Sequence, residues 1–308
     1  MPKDLVTLAD WQPDEVRDIL ELASRLKEDA ADDSLEPVLE HQTLALLFEK
    51  SSMRTRVSFE VAANQLGGSS VYLSKDDVNL GGREPVKDGA RAMARYVDVV
   101  AARTRSHDSV VELAKWSDIP VINALSDLYH PCQALGDMLT IGEKFGGLQD
   151  RRVAYVGDCN NVARSLALAC AMLGLHYRVG CPSDYQFGDQ FRRTVQRYAD
   201  ENGTSFEVME APEHAVAHAE VVYTDTWISM GQEQEARTRR ESFQEYRVDE
   251  ALLEKAAPSA KVMHCLPAHR GEEITDDVIE GPRSIVFDQA ENRLHAERAL
   301  LHNLVATE

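Results

Sequence analysis

The chain has 308 residues, 44% of them hydrophobic, and carries 52 acidic against 33 basic side chains, a net charge of -19. That length buries a large core and allows two domains, while so acidic a surface repels nucleic acid and anionic membranes. No run of about 18 apolar residues offers a membrane span, and Met1-Pro2-Lys3-Asp4-Leu5-Val6 lacks the apolar core of a signal peptide, so a cytoplasmic protein with no membrane or nucleic-acid partner is expected.

Of the basic residues 24 are Arg and 9 are Lys. Lysine-poor acidic surfaces resemble those of proteins from salt-rich cytosols, where screening weakens self-repulsion, so a halophilic protein is expected, with an ordinary soluble acidic enzyme as the alternative. An anionic ligand must then be held by local positive charge. The five cysteines, Cys132, Cys159, Cys170, Cys181 and Cys265, are odd in number and never spaced Cys-x-x-Cys. That pattern argues against a disulfide framework or a zinc ribbon.

Residues 9–30 read as one or two amphipathic helices, followed by an acidic loop at 30–36. The apolar run 43–48 predicts a buried strand. Glu49-Lys50-Ser51-Ser52-Met53-Arg54-Thr55-Arg56 follows it, and 57–66 then shows helical spacing. Hydroxyls and guanidiniums therefore stand at a strand-to-helix turn, where free N–H groups and the helix dipole suit a phosphate. An ordinary Ser-capped helix with solvated arginines is the alternative there.

A second strand is predicted at 70–73. The polar loop 74–85, which contains Asn79, Gly81 and Gly82, is long enough to suggest function. A helix at 86–96 and a strand at 97–102 follow, with Arg103 directly after the strand. A helix at 107–116 precedes a strand at 121–124. That strand runs into Ser126-Asp127-Leu128-Tyr129-His130-Pro131-Cys132-Gln133 and a helix at 134–145. In open α/β sheets ligands sit outside the carboxyl ends of strands, and Arg54, Arg103 and His130 all fall at such ends.

Gly146-Gly147 marks the expected boundary between a domain at 1–146 and a second at 147–288. Strands are predicted at 152–156, 176–181, 205–209, 220–224, 260–264 and 284–287. A last amphipathic helix, 289–308, is expected to pack back on the first domain. Strands alternating with helices imply an α/β fold of two domains, each a parallel sheet flanked by helices.

Gly157-Asp158-Cys159-Asn160-Asn161-Val162 lacks the G-x-G-x-x-G spacing of a dinucleotide site, and no G-x-x-x-x-G-K-[ST] sequence is present. Asn161 offers a carbonyl and an amide for an amino-acid head group, or caps a helix. His214 and His218 are four apart, on one expected helix face, but do not complete His-Glu-x-x-His. Asp225 stands at a strand end, as a partner for an ammonium group or as a helix cap. The charged stretch 231–247 suits a mobile flap or a solvated helix. His264-Cys265-Leu266-Pro267 ends another strand. Its thiol either lies near a reacting amine or is a buried small group, and Pro267 invites a cis peptide.

Taken together, Ser52-Met53-Arg54-Thr55, His130-Pro131-Cys132-Gln133, Asp225 with Ser229-Met230-Gly231, and His264-Cys265-Leu266-Pro267 resemble the aspartate/ornithine carbamoyltransferase family, from about residue 9 onward. The Ser-Met-Gly turn and the Cys265 motif resemble its ornithine branch. The aspartate branch typically has His-Pro-Leu-Pro and basic residues for a dicarboxylate.

The resemblance implies transfer of a carbamoyl group from carbamoyl phosphate to the δ-amine of L-ornithine, without metal or organic cofactor. It implies a carbamoyl-phosphate site of Ser52, Met53, Arg54, Thr55, Asn79, Arg103, His130, Pro131, Cys132, Gln133, Cys265, Leu266 and Arg293. It implies an ornithine site of Asn161, Asp225, Ser229 and Met230, with Arg54, Arg103, His130, Asp225 and Cys265 catalytic. It also implies a homotrimer or a multiple of trimers. In that assembly the family commonly offers Gln from the 74–85 loop to a neighbour's phosphate; Asn79, one methylene shorter, aligns with it. Putrescine or N-acetylornithine as the amine substrate is the alternative, and arginine synthesis and fermentation share the same chemistry.

Overall fold

The structure, a computed structural model, describes residues 3–78, 82, 84–229 and 232–305. Asn79 and Met230 lie outside the described residues. The strands are β1 Thr43–Phe48, β2 Ser69–Ser74, β3 Val99–Arg103, β4 Val121–Leu125, β5 Arg152–Val156, β6 His176–Gly180, β7 Phe206–Met209, β8 Val221–Thr224 and β9 Lys261–His264. The helices are α1 Pro13–Ala31, α2 Met53–Gln65, α3 Val86–Met93, α4 His107–Trp116, α5 Pro131–Phe145, α6 Asn161–Leu173, α7 Asp189–Glu201, α8 Pro212–Val216, α9 Ala236–Phe243, α10 Glu250–Leu253, α11 Asp276–Ile279 and α12 Val286–Val305. They divide into two compact units, Met1–Leu139 with Glu291–Glu308, and Thr140–Ala290.

The first unit holds a parallel sheet in the order β2-β1-β3-β4. Leu44 to Phe48 of β1 are all buried, as a strand covered on both faces requires. Ala45, Leu47, Val100 and Ala102 pack with Val86, Ala90, Val110 and Leu113 of α3 and α4. The carboxyl half of α12 belongs to this unit. There the Lys27 Nζ donates to Asn292 Oδ1 at 2.8 Å and Arg298 donates to the Leu26 carbonyl at 2.8 Å. A Cβ at Gly136 of α5 would stand 3.2 Å from the Arg293 backbone, a tight contact, so glycine there favours the close approach of the two segments.

The second unit holds a parallel sheet in the order β7-β6-β5-β8-β9. Helix α6 is buried along most of its length and ends at Gly174, whose φ of 82° supplies the left-handed terminus. Three expectations need correction. The run 284–287 is not a strand: Ser284 makes one bridge to Val262 and the chain then enters α12. Gln289, which is buried, continues a helical stripe rather than a strand face. His214 and His218 share no helix face, because α8 ends at Val216 and His218 has a φ of 60°. Finally, α5 begins at Pro131 rather than at 134, since proline is preorganised for the first helical position.

Candidate active site

Both sheets reverse their strand order once, and ligands favour the carboxyl ends at such a reversal. In the first unit the reversal lies between β1 and β3. Ser52 caps α2 there, its Oγ accepting from the Thr55 N–H at 3.4 Å and donating to Thr55 Oγ1 at 3.1 Å. The capped-helix reading of this turn therefore holds, and the same cap fixes the Thr55 hydroxyl at the helix N-terminus. Met53 turns its side chain out, 70% exposed. What it can offer a ligand is therefore its backbone. Arg54 is partly buried, and its carbonyl accepts from Ser58 at 2.8 Å.

Arg103 is the last residue of β3 rather than the first after it, and is buried. His130 is buried at the start of α5, its carbonyl accepting the Gln133 N–H at 3.1 Å. Burial pushes the His130 pKa well below the usual imidazole range, and the charges of Arg293 and Arg103 push it further the same way. His130 is thus a neutral hydrogen-bonding group beside two guanidiniums. The Cys132 thiol lies in the core against the Asn123 carbonyl at 3.4 Å, and burial raises its pKa. The side chains of Pro131 and Cys132 are both buried.

Arg293 joins these groups. Its guanidinium donates to Gln133 Oε1 at 2.9 Å and to Thr55 Oγ1 at 3.2 Å. Glu297, one turn on, receives it at 3.1 and 2.7 Å. Gln133 is held in turn by its amide donating to Asp137 at 2.8 Å. Glu297 and Asp137 escaped the sequence reading; the i, i+4 spacing of Arg293 and Glu297 is the signal that was there to find.

The His130 shift carries a testable sign. Its folded pKa is depressed, so its contribution to stability is full above about pH 6.5 and is lost as the pH falls toward the folded value. The unfolding free energy of His130→Asn relative to wild type, measured in urea, is expected to move in favour of the variant between about pH 7 and about pH 5. A difference that stays constant across that range would show that His130 titrates normally.

In the second unit the reversal lies between β5 and β8. Asn160, not Asn161, is the cap of α6: its Oδ1 accepts from the Val162 and Ala163 N–H groups at 3.0 and 3.1 Å. Its amide donates to Asp225 Oδ2 at 2.8 Å. Two adjacent asparagines offered the same chemistry in sequence, and only the fold shows which one caps the helix. Asn161 is the first residue of the helix, half-buried, its Oδ1 also accepting from Val162.

Asp225 is buried just past β8, with the Cys265 thiol donating to its other oxygen at 3.0 Å. Ser229 is half-buried, its N–H donating to Gln232 Oε1 at 3.0 Å. Leu266 has a φ of 57°, and the Leu266–Pro267 peptide is cis. Stretch 231–247 is more than a solvated segment, since Arg239, Phe243 and Tyr246 within it are buried.

Asp225, His264 and Cys265 each bring a ligand atom within 4.8 Å of the others. His264, however, is occupied at both nitrogens: Nδ1 accepts the Leu266 N–H at 2.8 Å and Nε2 faces Glu273 at 3.2 Å. With both Asp225 oxygens engaged as well, the trio is arranged to fix a carboxylate and a thiol rather than to chelate.

Two family models match the chain in succession. The model of the aspartate/ornithine carbamoyltransferase carbamoyl-P binding domain matches residues 3–143, and that of the Asp/Orn binding domain matches 149–304. The chain belongs to the aspartate/ornithine carbamoyltransferase family. Within this family it is 51% identical over 303 residues to the ornithine carbamoyltransferase of Methanothermobacter thermautotrophicus, covering 98% of this chain and 99% of that one. It is 48% identical over 299 residues to the anabolic ornithine carbamoyltransferase of Pyrococcus furiosus, covering 97% and 95%. The solved Pyrococcus furiosus structure superposes with a TM-score of 0.97 at 47% identity, over 99% of this chain and 97% of that chain.

Proposed function

We infer that the protein is an ornithine carbamoyltransferase: it transfers the carbamoyl group of carbamoyl phosphate to the δ-amine of L-ornithine, giving L-citrulline and phosphate. The observation that carries this reading is Asp225. It is a buried carboxylate at the strand-order reversal, held by Asn160 and Cys265, in a chain about half identical to ornithine carbamoyltransferases along its length. A carboxylate there selects a cationic amino acid and disfavours the dicarboxylate aspartate. The same relatives lend no support to putrescine or N-acetylornithine.

In the proposed mechanism the first unit manages the leaving group. The Ser52–Thr55 turn, Arg54 and Arg103 hold the phosphate and neutralise it as the C–O bond breaks. Thr55, Arg103 and neutral His130 donate to the carbonyl oxygen as it becomes an oxyanion. Gln133, braced by Arg293, fixes the carbamoyl NH2. The second unit presents the amine. Asn161, Asp225, Ser229 and Met230 bind the α-amino and α-carboxylate groups, which makes the attack effectively unimolecular. The δ-amine, with an intrinsic pKa of about 10.4, gives its ammonium proton to solvent and reacts as the free base beside Asp225 and Cys265. Its lone pair then forms the C–N bond, the phosphate departs with the C–O electron pair, and the proton left over on the new C–N nitrogen passes to the departing phosphate. Cys265 positions the amine and forms no covalent intermediate. No cofactor is assigned to these steps.

Anabolic relatives favour the biosynthetic direction, that of arginine synthesis. No helix among the described residues is long and apolar enough to cross a membrane, which suits the cytoplasmic setting proposed here. Exposed Met53, Val57, Val71 and Tyr96 suit burial against further copies in a trimer or its multiples, where Asn79 reaches a neighbour's phosphate. The mass in solution tests that assembly. The deciding experiment offers carbamoyl phosphate with ornithine, putrescine, N-acetylornithine and aspartate, from low to molar KCl. Citrulline from ornithine alone, fastest at high salt, is expected. Comparable carbamoylation of aspartate would overturn the Asp225 assignment, and highest stability at low salt would end the halophilic reading.

A further inference from the structure

Arg239 of α9 is only 3% exposed, yet it is charged and far in sequence from the groups it holds. Its Nε donates to the Trp227 carbonyl at 2.7 Å, and an Nη donates to the Asp158 carboxylate. Its guanidinium carbon lies 4.7 Å from the Tyr185 ring centroid and 5.6 Å from that of Phe243. Asp158 is itself buried. Dehydrating two such charges costs several kcal/mol per ion in general, and an apolar pair of the same size would often stabilise a core equally well. Their placement supplies another reason for the pair. Asp158 is two residues past the end of β5, and two residues before Asn160, which holds Asp225. Trp227 lies midway between Asp225 and Ser229. One guanidinium therefore ties the β5 loop to the segment that carries Asp225 and Ser229, two of the proposed amino-acid contacts.

We propose that Arg239 and Asp158 form a clamp that positions the Asp225–Ser229 segment for the α-groups of the amino-acid substrate. Neither residue touches substrate; they are positioning residues. The proposal rests on the ornithine reading above. Arg239 suits the task because its planar fork addresses a carboxylate and a carbonyl at once while its faces stack on Tyr185 and Phe243, which lysine cannot reproduce.

The clamp is also sensitive to pH. Burial pushes the Asp158 carboxyl up to about 6; Arg239 pulls it down, Asp225 pushes it up, and Arg164 of α6 pulls it down. The Cys159 thiol stands beside it, and Glu235 lies 3.6 Å from the far side of the Arg239 guanidinium. With a folded pKa above its unfolded value, Asp158 keeps its proton in the fold up to about pH 6. The ion pair is present above that pH and lost below it. Because the folded state binds this proton more tightly, protonation of Asp158 does not itself cost stability; what is lost is alignment.

Asp158→Asn, Arg239→Gln and Arg239→Lys test the clamp through steady-state citrulline formation at about pH 8. Inhibition by L-norvaline, ornithine without its δ-amine, is measured from about pH 5 to about pH 7. Asp158→Asn keeps the shape and removes the charge, so it carries the test if Arg239→Gln does not fold. The KM for ornithine is expected to rise about ten-fold or more in Asp158→Asn and Arg239→Gln, with part recovered in Arg239→Lys. The KM for carbamoyl phosphate should stay within about two-fold. The wild-type Ki for norvaline should rise as the pH falls below about 6, and that of Asp158→Asn should stay flat. An unchanged ornithine KM, an equal rise in both KM values, or the same norvaline pH profile in wild type and Asp158→Asn overturns the clamp. If wild type forms no citrulline, the ornithine reading falls together with the clamp; if it does, the variants judge the clamp alone.

Discussion

Arg293→Met is expected to lower the unfolding free energy in urea by about 3–5 kcal/mol and to reduce citrulline formation by about 10²–10³-fold. The stability loss follows from Glu297, which has no exposed surface and takes two of the Arg293 donors. Removing the arginine alone strands a buried carboxylate. Burial already raises the Glu297 pKa against the pull of Arg293, so without that pull the carboxyl takes up a proton, which limits the loss. The companion variant Arg293→Met/Glu297→Leu replaces a buried ion pair by apolar groups, which is often neutral, so most of the stability should return. Activity should not return, because Thr55 and Gln133 have lost the group that fixes them. A double variant that regained activity would reduce Arg293 to a structural role.

Asp225→Asn is expected to lower kcat/KM for ornithine by about 10²–10³-fold, the equivalent of losing one member of a buried charge pair. The fold should persist, since an asparagine oxygen can still accept from Asn160 and its amide can face the Cys265 sulfur. Carbamoyl-phosphate affinity, measured by equilibrium binding, should be unaffected, because the residues proposed to hold its phosphate lie in the other unit. Equal losses for both substrates would show that Asp225 acts through general stability instead. The two predictions separate the halves of the reaction, one touching the leaving-group side and the other the amine side.

Where the chemistry is carried by neighbours in sequence, it was legible from the residues. Ser52 and Thr55 are three apart and meet across one helical turn. Arg103 and His130 each end or follow a short apolar strand, and the rule that ligands gather at strand ends singles them out as candidates without knowledge of the strand order. The run at 284–287 misled because three apolar residues in a row suit a strand and a buried helix start equally well. The loop with Asn79 and the turn with Met230 were read from sequence and lie outside the described residues.

The sequence by itself thus determined the α/β class, the two parallel sheets and the side chains that end their strands, because apolar period and turn chemistry act over a few residues. Only the tertiary structure decided the orders β2-β1-β3-β4 and β7-β6-β5-β8-β9, which choose the strand ends that become neighbours. It also decided that Asn160 caps α6 and donates to Asp225, that Arg239 crosses the unit to Asp158, and that Arg293 reaches Thr55 and Gln133. Those pairings join residues between 65 and 238 positions apart. They follow from how helices pack on each sheet, which no local pattern encodes.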